Sequence, residues 1–591
     1  MKFGIAHFAI SLLTALAATA ASADQPALPD PAQVKFQWGV KIPLRDGVKL
    51  NATVYTPRQQ KAPAPCVVTM TPYISQSYHD RGMYFAAHGY PFLTVDVRGR
   101  GNSEGQFRPL IQEAADGHDV IEWLATQPYC NGKVTMWGGS YAGYNQWVTA
   151  KEFPPHLATI VPVASPHAGT DFPMRGNIAT TYLMRWLTFT SGHASQANIF
   201  GDDAFWMTLN RHWFESGEPF NKFDAQVGNL TTAFQEWLAH PKVDSYWDAY
   251  NPTAAQYGKL SLPILTITGS YDDDQPGAME HYRQHMKHGT AEAKASHYLV
   301  IGPWDHAGTR TPQAQFGGLT FGAPSLVDLP QLHLDWYAWT MQNGPKPKFL
   351  QKRVAYYVMD ADKWRYADTL EAVTAESRGY FLDSSSNATD VLASGSLSTT
   401  QPKGKPDNYV YDPRDVSIAA IESTVDPSSL TDQRTIYAQR GKRLVYHTAP
   451  FERDTEVSGY FKLSAWIAID QPDTDFSVSV HEIRSDGSSI MLSTDVQRAR
   501  YRESWREGKL VSTREPLKYE FNGFTFTSRL IRKDSRLRLV IGPASSIHNQ
   551  KNYNSGGDVS AETIRDARPV TVQLYHDRSR PSTLFVPLGQ P

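Results

Sequence analysis

Ser140, Asp272 and His306 have the types, order and settings that acyl-transfer chemistry requires. A serine hydroxyl is a weak nucleophile until a base takes its proton, and an imidazole base needs a carboxylate to fix its tautomer. Ser140 lies in Val134-Thr-Met-Trp-Gly-Gly-Ser140-Tyr-Ala-Gly143, a strand-like segment that meets small residues and then the helix-compatible 144–150. A tight strand-to-helix turn of this kind exposes the hydroxyl and needs small neighbours where the two backbones approach. The usual pattern is G-x-S-x-G; here Ala142 takes the place of the second glycine and Gly143 follows one position later. Taken alone, the segment reads equally as a Gly/Ser-rich turn, so its meaning depends on partners. Asp272 falls in Gly269-Ser-Tyr-Asp272-Asp-Asp-Gln-Pro-Gly277, just past the strand-like 262–268, with Asp273 and Asp274 as rival acids. His306 closes Ile301-Gly-Pro-Trp-Asp-His306, just past the strand-like 298–301, and Asp305 reads as its support.

The segments around these residues predict how they are held. An antiparallel hairpin is expected from 40–44 and 48–55 about Arg45-Asp-Gly47, followed by strands at 66–70 and 92–96 and helices near 81–88 and 113–127. Apolar strands alternating with helices predict a largely parallel sheet, which presents loop residues at its C-terminal edge. The order serine, acid, histidine is the one used on α/β-hydrolase sheets. Over 151–250 the strand signals fade, and Trp186, Phe189, Phe205, Trp206, Trp213, Trp237 and Trp247 recur in helix-compatible stretches, which predicts an inserted helical cap. Of these, Trp186 is the expected substrate-binding residue. The fold expectation is an α/β-hydrolase domain from 24–150 and 251–345, closed by a helix at 330–342. Asn343-Gly-Pro-Lys-Pro347 reads as a linker to a C-terminal all-β domain, a jelly roll over 351–591, with alternating segments at 354–358, 461–467, 476–480, 537–541 and 570–574. The Ser-rich 384–398 reads as a surface loop.

The chain has 591 residues, too many for one core, and a net charge of -2 with no basic run suited to nucleic acid. Residues 1–23 have the Lys2 charge, the apolar stretch and the Ala21-Ser22-Ala23 cleavage site of an export signal. That predicts a periplasmic protein without stable membrane insertion. Cys66 and Cys130 fall on strands expected to be neighbours, so a disulfide and two free thiols both fit. The glycine-rich 99–105 lacks a P-loop ending, no H-E-x-x-H occurs, and His281 and His285 have no glutamate in the motif position; neither a cofactor nor a metal is expected. Asp96 and Arg98 are expected to organise the loop beneath the site.

The motifs Pro72-Tyr73, Asp96-Val-Arg-Gly-Arg-Gly-Asn-Ser-Glu-Gly105, Gly138-Gly-Ser-Tyr-Ala-Gly143, the 269–277 loop and Gly302-Pro-Trp-Asp-His306 carry a specific resemblance. In the C-terminal part, Pro472-Asp-Thr-Asp-Phe476, Arg498-Ala-Arg-Tyr501 and Asn552-Tyr-Asn-Ser-Gly556 extend it. The chain resembles the cocaine-esterase-like branch of the X-Pro dipeptidyl-peptidase family, near α-amino acid ester hydrolases and glutaryl-cephalosporin acylases, from about residue 35 onward. The shifted glycine is normal there. The resemblance implies that Tyr73, otherwise a packing residue, donates its hydroxyl to the oxyanion beside the backbone N–H of Tyr141. It also implies carboxylates that receive a substrate ammonium: Asp274 matches one, Gln275 replaces a second, and Asp171 is a weaker third, with structural roles equally open to Asp171 and Asp274. Ser270 stands where many relatives carry tryptophan, a change expected to widen or repolarise the acyl pocket.

The expected function is hydrolysis of small-molecule carboxylic esters or amides through an acyl-enzyme, for small acyl or α-aminoacyl substrates. Release of dipeptidyl or aminoacyl groups from peptides is the alternative. It is placed second because the large N-terminal extension of X-Pro dipeptidyl-peptidases is not expected here. A third reading is a non-catalytic carbohydrate- or ligand-binding protein, since the C-terminal sandwich resembles carbohydrate-binding modules. The resemblance implies that some relatives form dimers or tetramers, and a homo-oligomer is compatible with this sequence.

Overall fold

The computed structural model describes residues 29–590, so the expected export signal at 1–23 lies outside the described residues. The first sheet has ten strands, in the order β1 (Val34–Pro43), β2 (Lys49–Pro57), β4 (Phe92–Asp96), β3 (Ala64–Thr71), β5 (Cys130–Gly139), β6 (Leu157–Val163), β9 (Ile264–Tyr271), β10 (His297–Asp305), β13 (Val354–Val358) and β14 (Lys363–Ala367). The seven central strands are parallel, and the hairpins β1–β2 and β13–β14 supply antiparallel edges. Two short hairpins, β7 (Met174–Arg175) with β8 (Ile178–Ala179) and β11 (Gln315–Phe316) with β12 (Leu319–Thr320), lie outside this sheet.

Strand alternation divides the sheet's side chains between two cores. Val67, Trp137, Leu265, Ile267 and Val300 face α1 (His79–Ala87) and a helix over Leu329–Gln342. Cys66, Val68, Met136 and Ile264 face the opposite way, toward α2 (Glu113–Ala125) and α3 (Tyr141–Ala150). Both cysteines are buried, free thiols.

Two strands fall where the sequence pattern did not put them. Leu157–Val163 is a sheet strand inside the range read as cap; Pro162, which cannot donate to a ladder, obscures it. Val354–Val358 was expected in the C-terminal sandwich but pairs in parallel with β10, and all five of its residues are buried. Such two-sided burial is typical of a parallel strand rather than of an alternating sandwich strand. The Asn343–Pro347 segment is therefore a helix stop inside the first domain, with Asn343 left-handed at φ 59°.

The cap comprises α4 (Tyr182–Phe189), α5 (Ala197–Phe200), α6 (Asp203–Ser216), α7 (Phe223–Val227), α8 (Thr232–Ala239), α9 (Ser245–Asp248) and α10 (Ala254–Lys259). Its core is aromatic: Trp186, Trp206, Trp213, Trp237 and Trp247 pack with Phe214, Phe220, Phe223 and Phe234 on Tyr141 and Tyr144 below. After β9 come α11 (Gln275–His288) and α12 (Ala291–Ala295), and α13 is the Leu329–Gln342 helix. The second sheet has thirteen strands between Glu376–Asp383 and Thr583–Leu588 and forms the β-domain. The end of the Ser-rich region joins it as Gly395–Ser398.

The C-terminal motifs fix the part of the β-domain that meets the cap. Arg498 forms a buried two-point pair with Asp475, and Asn552 donates to Asp473 and Asp475. The chain after 546 then bonds to the cap: Thr181 N–H to the His548 carbonyl at 3.0 Å and Gln550 N–H to the Ala179 carbonyl at 2.8 Å. Lys551 donates to the Phe214 carbonyl near the end of α6 at 3.0 Å, an arrangement that suits the negative end of a helix.

Candidate active site

Ser140 sits between β5 and α3 at φ 60° and ψ -129°, a left-handed conformation costly for a residue with a Cβ. Its N–H donates to the carbonyls of Val163 and Ala164, both at 3.0 Å, which holds the turn in place. The surrounding packing accounts for the shifted glycine. A Cβ on Gly143 would come within 2.5 Å of the Val163 carbonyl oxygen, whereas Ala142 packs over Gly138. Close approach between helix and neighbouring strand therefore falls at position 143, not 142.

Asp272 and His306 project from the C-terminal ends of β9 and β10, at the same sheet edge as Ser140. His306 Nδ1 lies 2.8 Å from Asp272 Oδ1. The buried Asp272 carboxylate also accepts the Thr268 hydroxyl at 2.8 Å and the Asp274 N–H at 3.1 Å, so its orientation is fixed from three sides. Asp274 Oδ2 is farther from the ring, at 3.7 Å, and Asp273 makes no ion pair with it, so Asp272 is the acid partner by geometry. Burial pushes the His306 pKa down, but the Asp272 hydrogen bond and the charges of Asp272 and Asp274 outweigh it, and the net shift is upward.

Tyr73 reaches the nucleophile from the loop after β3: its hydroxyl is 3.4 Å from Ser140 Oγ. Burial raises its pKa to about 12, so it stays protonated. Its ring stacks on Phe189 with centroids 5.0 Å apart. The loop is anchored from below. Asp96 accepts the Ser75 N–H at 2.6 Å, and Arg100 donates to the Pro72 carbonyl at 2.8 Å and to the cap carbonyls of Gly192 and Ala194. Arg98 is bound by Asp116 and Asp46. The 99–105 segment is thus a structural turn. Tyr141 opens α3, where its N–H has no carbonyl of its own helix to meet, and its side-chain hydroxyl donates to buried Glu113. Burial lifts the Glu113 carboxyl to about 7.

Trp186 was expected to line the substrate pocket, but it is only 4% exposed. Its indole N–H donates to the Tyr73 oxygen at 3.1 Å, and its ring stacks over Tyr141 at 5.7 Å. It acts on the site through Tyr73. Nothing in the sequence signals this contact, which joins a post-strand loop to a cap helix 113 positions away. Asp171 receives the N–H groups of His167 at 2.9 Å and Gly277 at 2.6 Å, tying the cap entrance to the first turn of α11. The side chains of Asp273 and Asp274 accept no hydrogen bond among the described residues. Burial raises the pKa values of Asp171, Asp273 and Asp274, with repulsion from the Asp272 charge adding to it.

Gln275, in the place of an expected carboxylate, is fully buried and bound to the β-domain. It donates to the Gly269 and Phe526 carbonyls at 2.9 and 3.0 Å and accepts the Phe526 N–H at 2.6 Å. Ser270 is 4% exposed, and its hydroxyl is buried. His281 and His285 are buried packing residues, bonded to the Tyr257 hydroxyl and the Leu260 carbonyl.

Residues 46–308 match the X-Pro dipeptidyl-peptidase (S15 family), and residues 348–584 match the X-Pro dipeptidyl-peptidase C-terminal non-catalytic domain. The chain is 24% identical over 584 residues to cocaine esterase of Rhodococcus sp. (strain MB1 Bresler), covering 93% of this chain and 98% of that one. An α-amino acid ester hydrolase structure superposes with a TM-score of 0.79 at 20% identity, covering 94% of this chain and 97% of the other. An aminopeptidase from a marine sediment Thaumarchaeota archaeon gives 0.81 at 22% identity, with the same coverage. At these identities, the two superpositions establish a shared two-domain fold.

Proposed function

Because the chain is a member of the serine hydrolase superfamily that includes S15 peptidases and cocaine-esterase-like esterases, we propose that it cleaves small carboxylic esters and amides, α-aminoacyl ones among them, through an acyl-enzyme on Ser140. His306 takes the Ser140 proton as Oγ attacks the carbonyl, and Asp272 stabilises the imidazolium that forms. The Tyr73 hydroxyl and the Tyr141 N–H bind the oxyanion. His306 then passes the proton to the departing alcohol or amine. In the second half, it activates a water that releases the acid and regenerates Ser140.

The observation that carries this reading is the pair of contacts at Tyr73. Its oxygen accepts from Trp186 and lies 3.4 Å from Ser140 Oγ, which leaves its own proton free to be donated to an oxyanion formed at Ser140. Asp274, 3.7 Å from the His306 ring and with no hydrogen bond to its carboxylate among the described residues, supports an ammonium-bearing acyl group, with Asp171 holding the start of α11 beside it. Release of aminoacyl groups from peptides is the second reading, supported by the match over 46–308. Residues 1–23 support export to the periplasm. Initial rates on a free-amino aminoacyl ester and its N-acetylated twin test the ammonium role. A strong preference for the free amine, lost in Asp274→Asn, is expected; equal rates contradict that role.

A further inference from the structure

Arg310 lies four residues past His306 on the same loop, and among the described residues it makes no ion pair. Its one side-chain hydrogen bond is to neighbouring Thr309 Oγ1 at 3.4 Å. The guanidinium lies over Gly139, the residue before Ser140, so closely that a Cβ there would collide with it. Its charge acts on both His306 and Tyr78.

A second guanidinium stands near it. Arg81 is partly buried, 5.7 Å from the Trp137 ring centroid, bonded only to Thr311 Oγ1 at 3.3 Å, and also free of any ion pair among the described residues. The two charges repel each other, while Asp80 and Asp328 attract Arg81 from beyond salt-bridge distance. Two other arginines of the catalytic domain are different: Arg98 is held by two carboxylates and Arg100 by three carbonyls. Two half-buried like charges without a counter-ion are unfavourable, and a bound anion relieves them. The carboxylates of the site gather elsewhere, at Asp273 and Asp274.

The leaving group departs on the histidine's side, because His306 must hand it a proton. A cation carried on the histidine loop is therefore placed to meet a charge on the leaving group. We propose that Arg310, backed by Arg81, forms a subsite for a carboxylate on the leaving group, so that preferred substrates are acyl derivatives of hydroxy acids or amino acids. The reaction remains a hydrolysis. The carbonyl–oxygen or carbonyl–nitrogen bond breaks as Ser140 Oγ bonds to the carbonyl carbon, and the departing group takes the Ser140 proton through His306 with its carboxylate still ionised.

This proposal rests on the Ser140 reading above, and its test separates the two. Acetoxyacetate and acetoxyacetamide deliver the same acetyl group and differ only in whether glycolate or glycolamide leaves. Monomethyl and dimethyl glutarate place the charge on the acyl side instead. The full chain is expected to favour acetoxyacetate over acetoxyacetamide by about ten-fold or more in kcat/KM, although the amide is the better leaving group by induction. Arg310→Gln should bring that ratio to about one, and Arg310→Lys should retain part of it. Labelling of Ser140 by a fluorophosphonate reports whether each variant is folded. A ratio at or below one in the wild type, a ratio that survives Arg310→Gln in a variant whose Ser140 labels normally in a parallel sample, or charge preference on the glutarate pair alone would overturn the subsite. Rates that persist in Ser140→Ala would overturn the Ser140 acyl-enzyme reading itself.

Discussion

The indole N–H of Trp186 donates to the Tyr73 phenol oxygen at 3.1 Å, and that oxygen lies 3.4 Å from Ser140 Oγ. A residue of the cap thus donates a hydrogen bond to a hydroxyl that the catalytic domain holds beside the nucleophile. The Tyr73 hydroxyl can accept from the indole and donate to a developing oxyanion at the same time.

Tyr73→Phe should therefore fold normally and lose about 100-fold in kcat, the usual scale for one oxyanion donor. Trp186→Phe keeps the aromatic packing but frees the phenol to rotate, and should lower kcat by about ten-fold with a smaller change in KM. Steady-state kinetics on p-nitrophenyl acetate measures both. Wild-type kcat in Tyr73→Phe, or a Trp186→Phe effect confined to KM, would place these residues outside oxyanion binding.

The acid limb of activity follows from His306. Only the neutral ring can accept the Ser140 proton, and the net shift of this histidine is upward from 6.5. The limb of kcat/KM should accordingly lie above about pH 6.5. Asp274→Asn removes a negative charge 3.7 Å from the ring, which makes the imidazolium less stable and should move the limb to lower pH. A limb that stays in place or moves upward would show that Asp274 does not act on His306.

Gln275 links the catalytic acid loop to the β-domain through both backbone groups of Phe526. Gln275→Leu leaves buried amide and carbonyl groups unpaired, a loss of about 2–4 kcal/mol. Thermal denaturation should show a clear drop in Tm, and kcat should fall more than KM rises as the Asp272 loop loosens. Wild-type melting and kcat together would mean that the two domains do not depend on this side chain.

The main elements of the site were legible because their signals are local. Ser140, Asp272 and His306 each follow a short apolar strand, and chain order supplied the rest of the pattern. What the sequence concealed depends on contacts across long separations. Val354–Val358 has an alternating look, yet it is buried on both faces because it extends the parallel sheet at β10. Leu157–Val163 is interrupted by Pro162 and was absorbed into the cap. Trp186 resembled any other cap aromatic until its N–H met Tyr73. Gln275 reads in the sequence only as the loss of a carboxylate, and its actual work, bonding Gly269 and Phe526, crosses to a segment 251 positions away.

The most direct test of the central claim is covalent. The full chain would be treated with a fluorophosphonate, and the modified peptide mapped by mass spectrometry alongside p-nitrophenyl acetate turnover. One adduct per chain on Ser140, with turnover lost in proportion and neither signal in Ser140→Ala, is the predicted result. Turnover that survives full labelling, or an adduct on another serine, would contradict a Ser140 acyl-enzyme.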